Sequence, residues 1–107
     1  MNPTAIKRIG LVKRRKDLSY DQFKTHWLHV HAELCKKLPN LRRYSVNLVA
    51  PELVESFGYE GFSELWFDSA EALKASLESP EGKTLLADLP NFVDSIHPLV
   101  VHEYPML

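Results

Sequence analysis

The chain has a single cysteine, Cys35, in 107 residues, so no disulfide can close within it. That usage fits a reducing compartment, and a cytoplasmic protein is expected. A long apolar run is also missing, so no transmembrane helix and no membrane partner are expected. Lys7, Arg8 and Lys13 interrupt any signal-peptide pattern at the N-terminus. Charge of one sign is scarce: 13 Lys and Arg stand against 14 Asp and Glu, for a formal net charge of −1. A protein that grips phosphates without regard to sequence needs a basic surplus, so no nucleic-acid partner is expected. The one basic cluster, Lys13-Arg14-Arg15-Lys16, is short and reads as a solvated loop. No internal repeat and no Gly- or Ser-rich linker is present. The G-x-S-x-G elbow, the P-loop, G-x-G-x-x-G, C-x-x-C and H-E-x-x-H are all absent, which removes the chemistries those motifs carry.

What is present is an ordinary globular composition, 45% hydrophobic and 25% charged. Its length fits one domain over residues 1–107. A chain of this size buries only part of its apolar surface, so a partner subunit would help it.

The apolar periodicity changes along the chain and maps the elements. Ala5–Lys13 reads as a strand, with Ile9 and Leu11 alternating with Arg8, Gly10 and Val12. Ser19 opens the strongest helix through a capping box with Gln22. Phe23, Trp27, Val30, Leu34 and Leu38 form its stripe at about 100° per residue, and Pro39 ends it. Leu41–Val49 reads as a second strand. Ala50–Gly61 is too long for a tight hairpin and carries Phe57 and Tyr59, which suggests that it packs on something. Phe62–Phe67 is a third strand, apolar on both faces and therefore expected to be covered on both. Asp68 or Ser69 caps a further helix, Glu81–Leu89 forms another behind Pro80, and His97–Tyr104 closes as a fourth strand.

The order β-α-β-β-α-β predicts an α+β, ferredoxin-like fold with a four-stranded antiparallel sheet. Helices on one face leave the other bare, with Leu11 or Val12, Phe67 or Trp66, and Val100 or Val101 supplying it. Two such sheets packed face to face would cover it, which predicts a homodimer.

Several residues can carry chemistry. His31 lies on one margin of the helix stripe and His26 on the other, while His29 points outward. His31 and Trp27 share a face and can line a half-buried pocket. A histidine there is a natural general acid or base; the plainer reading is a core-edge ring satisfied by a carbonyl. His26, His29 and Glu33 share a polar face, but a solvated surface is the better reading than a metal site, and none is expected. Glu64 sits between Phe62 and Trp66 on the third strand. Its carboxyl would be raised if buried there, unless Arg42 or Arg43 pairs with it. Asp88, before Pro90, can orient a histidine or cap a turn. Tyr44 and Asn47 face opposite ways, and either can hydrogen-bond a bound oxygen. His97 and His102 are further candidates.

These residues together resemble the EthD family. The resemblance rests on Phe23-x-x-x-Trp27-x-x-x-His31 and then Leu38-Pro39-Asn40-Leu41-Arg42-Arg43-Tyr44. Glu64-Leu65-Trp66-Phe67-Asp68-Ser69, Ser79-Pro80-Glu81-Gly82 and Ala87-Asp88 with Phe92 extend it over nearly the whole chain. Asn40 stands where the family commonly has Gly, and Asn tolerates the same left-handed backbone. The resemblance implies a dimeric α/β barrel with a cavity in each protomer between sheet and helices. It also implies activity mostly without metal or organic cofactor, so no cofactor is expected. Members of the superfamily include lactone isomerases, polyketide cyclases, decarboxylases, monooxygenases and haem-handling proteins, so fold does not set the reaction.

On that footing His31 is the expected general acid/base, in a cofactor-independent lyase or isomerase acting on an aromatic, polyketide-like or lactone substrate. Tyr44, its expected catalytic partner, or Asn47 would hold an enolate oxygen. Trp27, Phe62 and Trp66 would wall the cavity, Glu64 and Asp88 would contact the substrate, and the Ala50–Gly61 loop would cover the mouth. The alternative is a non-catalytic binding or accessory protein for a hydrophobic metabolite or haem in a degradation pathway. A purely structural dimer is a third reading, and a cavity too small for any ligand would be its sign.

Overall fold

The structure, a computed structural model, describes residues 5–107. Residues 1–4, which the signal-peptide reading includes, lie outside the described residues. Four strands, β1 (Ile6–Arg14), β2 (Arg43–Leu48), β3 (Gly61–Phe67) and β4 (Val93–His102), form one antiparallel sheet in the order β2-β3-β1-β4. This is the ferredoxin-like arrangement.

Alternation along each strand sorts its side chains between two faces. Ile6 and Val12 of β1 and Leu65 and Phe67 of β3 are buried under the helices. By the same parity Arg8, Gly10, Ser63 and Tyr44 face the helices too. Lys7, Ile9, Leu11, Phe62, Glu64, Trp66, Ser45, Asn47 and Val101 share the opposite face, which among the described residues the two long helical layers leave bare. Of the open pairs in the sequence reading, the bare face therefore takes Leu11, Trp66 and Val101.

The first helix runs over residues 20–35. Ser19 caps it as expected: Gln22 N–H donates to Ser19 Oγ at 3.1 Å, and Ser19 N–H donates to Gln22 Oε1 at 2.8 Å. Such caps contribute about 1 kcal/mol. Its middle departs from expectation. Between α1 (Tyr20–His26) and α2 (Ala32–Cys35) lies a π-helical turn, Trp27–His31, where Ala32 N–H donates to Trp27 O, five residues back. One extra residue in the turn shifts the phase of everything after it. Val30, expected in the buried stripe, is 45% exposed, whereas His31, Ala32 and Cys35 turn inward. Turns of this kind concentrate at functional sites.

Asn40 adopts φ 64°, the left-handed conformation the L-P-N-L turn requires. Gly61 permits a different close approach: a Cβ there would stand 2.9 Å from the Trp27 ring. Its absence lets the indole lie on the start of β3.

The segment between β2 and β3 is not plain loop. It holds a 3-10 turn, Pro51–Leu53, and α3 (Val54–Phe57), ended by Gly58 at φ 96°. Its apolar side chains Leu53 and Phe57 gather with Val49 beside Phe62, on the bare face. It therefore does not cover a cavity on the helix side.

Beyond β3, Ser69 caps α4 (Ala70–Glu78), and Ser79 caps α5 (Pro80–Asp88), with Pro80 at its first position. A 3-10 turn, Leu89–Asn91, leads into β4. That strand starts at Val93, four residues earlier than expected, and carries Pro98 within it. An edge strand tolerates the missing N–H, and β4 is an edge.

Two apolar clusters fill the space between helices and sheet. One holds Val12, Phe23, Trp27, Phe92 and Val93; the other holds Ile6, Cys35, Leu38, Leu65, Phe67, Leu73 and Leu85. The candidate site lies at the seam between them.

Candidate active site

The seam is a cleft whose walls come from both clusters: Val12, Trp27 and Phe92 from one, Cys35, Leu65 and Leu85 from the other. Its polar lining is Arg8, His31, Tyr44 and Ser63. Leu86, 39% exposed, and Leu89 stand at its helical end. The cavity is small, about 20 Å³. As it stands the cleft has room for about one water. An organic ligand enters only with some movement of the lining.

His31 reaches the cleft because the π-helical turn rotates it inward, to 9% exposure. Its Nδ1 lies 2.8 Å from Oδ2 of Asp88, the last residue of α5. The same carboxylate accepts from His26 Nε2 at 2.9 and 3.0 Å and from Asn91 Nδ2 at 3.0 Å. An ionised carboxylate only accepts, so both imidazoles donate to it. That assignment puts the His31 proton on Nδ1 and leaves Nε2 with a free lone pair. Phe92 packs against both rings, 4.9 Å from His26 and 4.7 Å from His31, centre to centre.

The electrostatics follow from this enclosure. Burial pushes the His31 pKa below its ordinary 6.5, against the pull of Asp88, which favours the charged ring. His31 is therefore neutral at pH 7. Burial would raise the Asp88 carboxyl, but its bonds from Asn91, His31 and His26 outweigh that and hold it below 3.8. Burial drives the Tyr44 phenol above its ordinary range, and Tyr44 Oη has no well-formed hydrogen-bond partner, although the Cys35 thiol is its polar neighbour. The Cys35 thiol is pushed up to about 12 by burial and stays protonated. This arrangement can take a proton at His31 Nε2 and present a hydroxyl donor, Tyr44, in the same cleft.

The structure brings together four of the eight residues expected from the sequence: His31, Tyr44 and Trp27 line the cleft, and Asp88 stands behind His31 without lining it. Asp88 therefore holds the His31 ring from outside the cleft lining. Asn47, Phe62, Glu64 and Trp66 are not there. They lie on the bare face, because their strand parity is opposite to that of Tyr44 and Leu65. Glu64 pairs with Lys7 at 2.9 Å, not with Arg42 or Arg43, and accepts from Asn47 at 2.9 Å and Ser45 at 3.0 Å. Burial raises its carboxyl, but these bonds prevail and its pKa is lowered, not raised. Of the other histidines His26 joins His31 through Asp88, while His97 sits across from Leu11 on the bare face and His102 is exposed at the end of β4. Among the described residues no group of three or more His, Cys, Asp or Glu is placed to hold a metal. Sequence reasoning missed Arg8 and Ser63. Parity with the buried Ile6, Val12 and Leu65 is the signal that could have found them.

The fold is shared with several solved structures. An EthD family protein from Bacillus halodurans C-125 superposes with a TM-score of 0.79 at 23% identity, covering 94% of this chain and 100% of that one. A dimeric ferredoxin-like protein of unknown function from Thermobifida fusca gives 0.74 at 14% identity, over 96% and 94%. The hydroxynitrile lyase of Passiflora edulis gives 0.73 at 15% identity, over 98% of both chains. At these identities the likeness establishes the fold and not the activity. No curated protein matches the chain in sequence. The EthD domain pattern, however, matches residues 15–96. The chain belongs to the EthD domain family.

Proposed function

We propose that this protein is a cofactor-independent enzyme of the lyase or isomerase class that moves a proton on a small molecule, aromatic, polyketide-like or lactone in type. The observation that carries this reading is the buried Asp88 carboxylate, 2.8 Å from His31 Nδ1, behind a ring that lines an enclosed cleft. In this reading His31 Nε2 removes a proton from carbon next to a carbonyl, and the electron pair moves to the oxygen. Tyr44 Oη donates to that oxygen. Asp88 holds the ring's tautomer and steadies the imidazolium that forms. His31 then returns the proton, to a different atom in an isomerase or to a leaving group in a lyase. The hydroxynitrile lyase of the same fold supports a lyase on this scaffold. The protein works as a homodimer joined through the bare face, where Ile9, Leu11, Phe62, Trp66, Leu99 and Val101 cluster. The dimeric Thermobifida relative is consistent with that assembly.

The test is deuterium uptake. Aryl ketones, β-keto esters and unsaturated lactones are incubated with the protein in D2O and followed by NMR. Exchange of the α-proton by the wild type, lost in His31→Gln with dimer and melting temperature retained, is the expected result. No exchange with any compound, or a His31→Gln protein that no longer folds, would move His31 to a structural role. The narrowness of the closed cleft favours that second reading, a filled core with His31 as its buried polar pin.

A further inference from the structure

Arg8 is the residue that the proposed mechanism leaves unused, and its surroundings are unlike those of the other arginines. The chain has five. Arg14 pairs with Glu60 at 3.4 Å, Arg15 with Asp17 at 2.8 Å and Arg42 with Asp68 at 2.7 Å, while Arg43 lies 4.5 Å over the Trp66 ring. Arg8 has no such partner among the described residues. Yet it is on the helix side of β1, across from Leu65 on one side and Val100 on the other, and it lines the cleft. A guanidinium carries five N–H donors and cannot shed its charge. Half-buried and without a protein partner among the described residues, the guanidinium is left to water, which a ligand's carboxylate can replace.

The groups around it explain the mismatch. Burial lowers the Arg8 pKa, and the only opposing influence is the Cys35 sulfur, which stays a neutral thiol. Asp88, behind His31 and outside the cleft lining, is committed to His31, His26 and Asn91. Tyr44 Oη, in the same cleft, is buried with its hydroxyl unpaired. Gly10 keeps the space beside these groups open: a Cβ there would stand 3.1 Å from Ser63 Oγ and 3.5 Å from Arg8 Nη1. A cationic fork and a buried hydroxyl with only the Cys35 thiol beside it therefore line one cleft, next to a neutral imidazole. Their shared complement is an anionic oxygen.

We propose that the substrate of this cleft is a small organic acid, whose carboxylate is clasped by the Arg8 guanidinium while the carbon to be deprotonated faces His31. The proposal deepens the proton-transfer reading and rests on it for the reaction, but not for the binding. Guanidinium and carboxylate meet through two parallel hydrogen bonds, which fixes the acid's orientation as well as its affinity. The cation also opposes protonation of His31. A bound carboxylate cancels that influence, so acid binding makes His31 a stronger base at the moment it is needed. The groups that set this response are Arg8, Asp88 and His26, with the neutral Cys35 and Tyr44 beside them.

The experiment is calorimetric titration of the intact protein with formate, acetate and benzoate, each against its neutral amide. The series begins with formate because the closed cleft holds little more than a water. The acids are expected to bind and the amides not. Arg8→Met should weaken acid binding by about 10- to 100-fold, as expected for loss of a charge-assisted pair. Arg8→Lys, which keeps the charge and loses the fork, should fall between. In parallel the His31 ring, followed by NMR, should titrate at higher pH when acetate is present. His31→Gln should retain acid binding within a few-fold. If it does so while no compound exchanges its proton, the catalytic reading falls and the Arg8 site stands. Amides that bind as well as acids, an Arg8→Met protein with unchanged acid affinity, or no acid bound at all would overturn the proposal. Should Arg8→Met fail to fold, the acid–amide contrast and Arg8→Lys decide the question.

Discussion

The two faces of the sheet treat their polar residues in opposite ways. On the bare face Lys7 bonds Glu64 and Glu103, Glu103 accepts from Trp66 Nε1 at 2.9 Å, and Asn47 and Ser45 complete the shell of Glu64. Each of these groups finds its partner within the face. On the helix side, among the described residues, Arg8 has no charged partner, Tyr44 Oη has only the Cys35 thiol beside it, and His31 has one nitrogen held and the other free. Satisfied polar groups set geometry; unsatisfied ones in a buried seam carry a cost that a ligand can relieve. Glu64, a charge amid aromatics, is thus satisfied where it stands, whereas the helix-side groups keep hydrogen-bonding capacity.

The sharpest contrast comes from matching substitutions on the two faces. His31→Gln should lower proton exchange by about 10²- to 10⁴-fold, the usual worth of a general base. Glu64→Gln should leave exchange unchanged. Equal losses in the two variants would erase the distinction between the faces.

The bare face has its own large effect. Trp66→Glu puts a carboxylate beside Glu64 and Glu103 in the surface that the proposed dimer would bury, a cost of several kcal/mol for an unpaired charge. Light scattering should then show the monomer's mass, 12.3 kDa, where the wild type shows twice that. A monomeric wild type would remove the reason for the face.

Smaller effects follow from Asp88. Asp88→Asn replaces an acceptor of two imidazole protons by a group that donates on one side, so one ring must change tautomer. Exchange should fall by less than in His31→Gln, and the His31 pKa should drop further, because Asp88 now raises it.

The smallest is a pH dependence of stability. The unfolded His31 takes up its proton near pH 6.5, the folded ring only at lower pH. Between those values the unfolded state binds more protons, so the contribution of His31 to stability diminishes as pH falls below 6.5. Melting curves of the wild type and His31→Gln should diverge least there. The acid limb of the exchange rate should lie below pH 6.5 for the same reason.

Much of the fold was legible because its signals are local. The capping box at Ser19, Pro80 at a helix start and the alternation in β1 each depend on a few neighbouring residues. The site was legible only in part, because its geometry depends on phase and distance. Strict 100° spacing puts Val30 inward; one additional residue in the π-helical turn exposes it and buries His31. The apolar rows of β3, Phe62 with Trp66 and Leu65 with Phe67, look alike in sequence, and only the position of the helices tells core from bare face. Asp88 is 57 residues from His31, and nothing local pairs them. Arg8 reads as an exposed charge in an alternating strand until Ile6 and Val12 are seen to be buried on its own face.

The central claim is that His31 is a neutral, Asp88-held base in a cleft that takes a ligand. NMR titration of the five histidines, with His31→Gln to assign the ring, tests it most directly, with small phenolic acids and lactones added to the same sample. The account predicts that His31 titrates below 6.5 and that its signals and pKa move when one of these compounds binds. A ring that titrates at its ordinary value, or one that never titrates and ignores every compound, would contradict it.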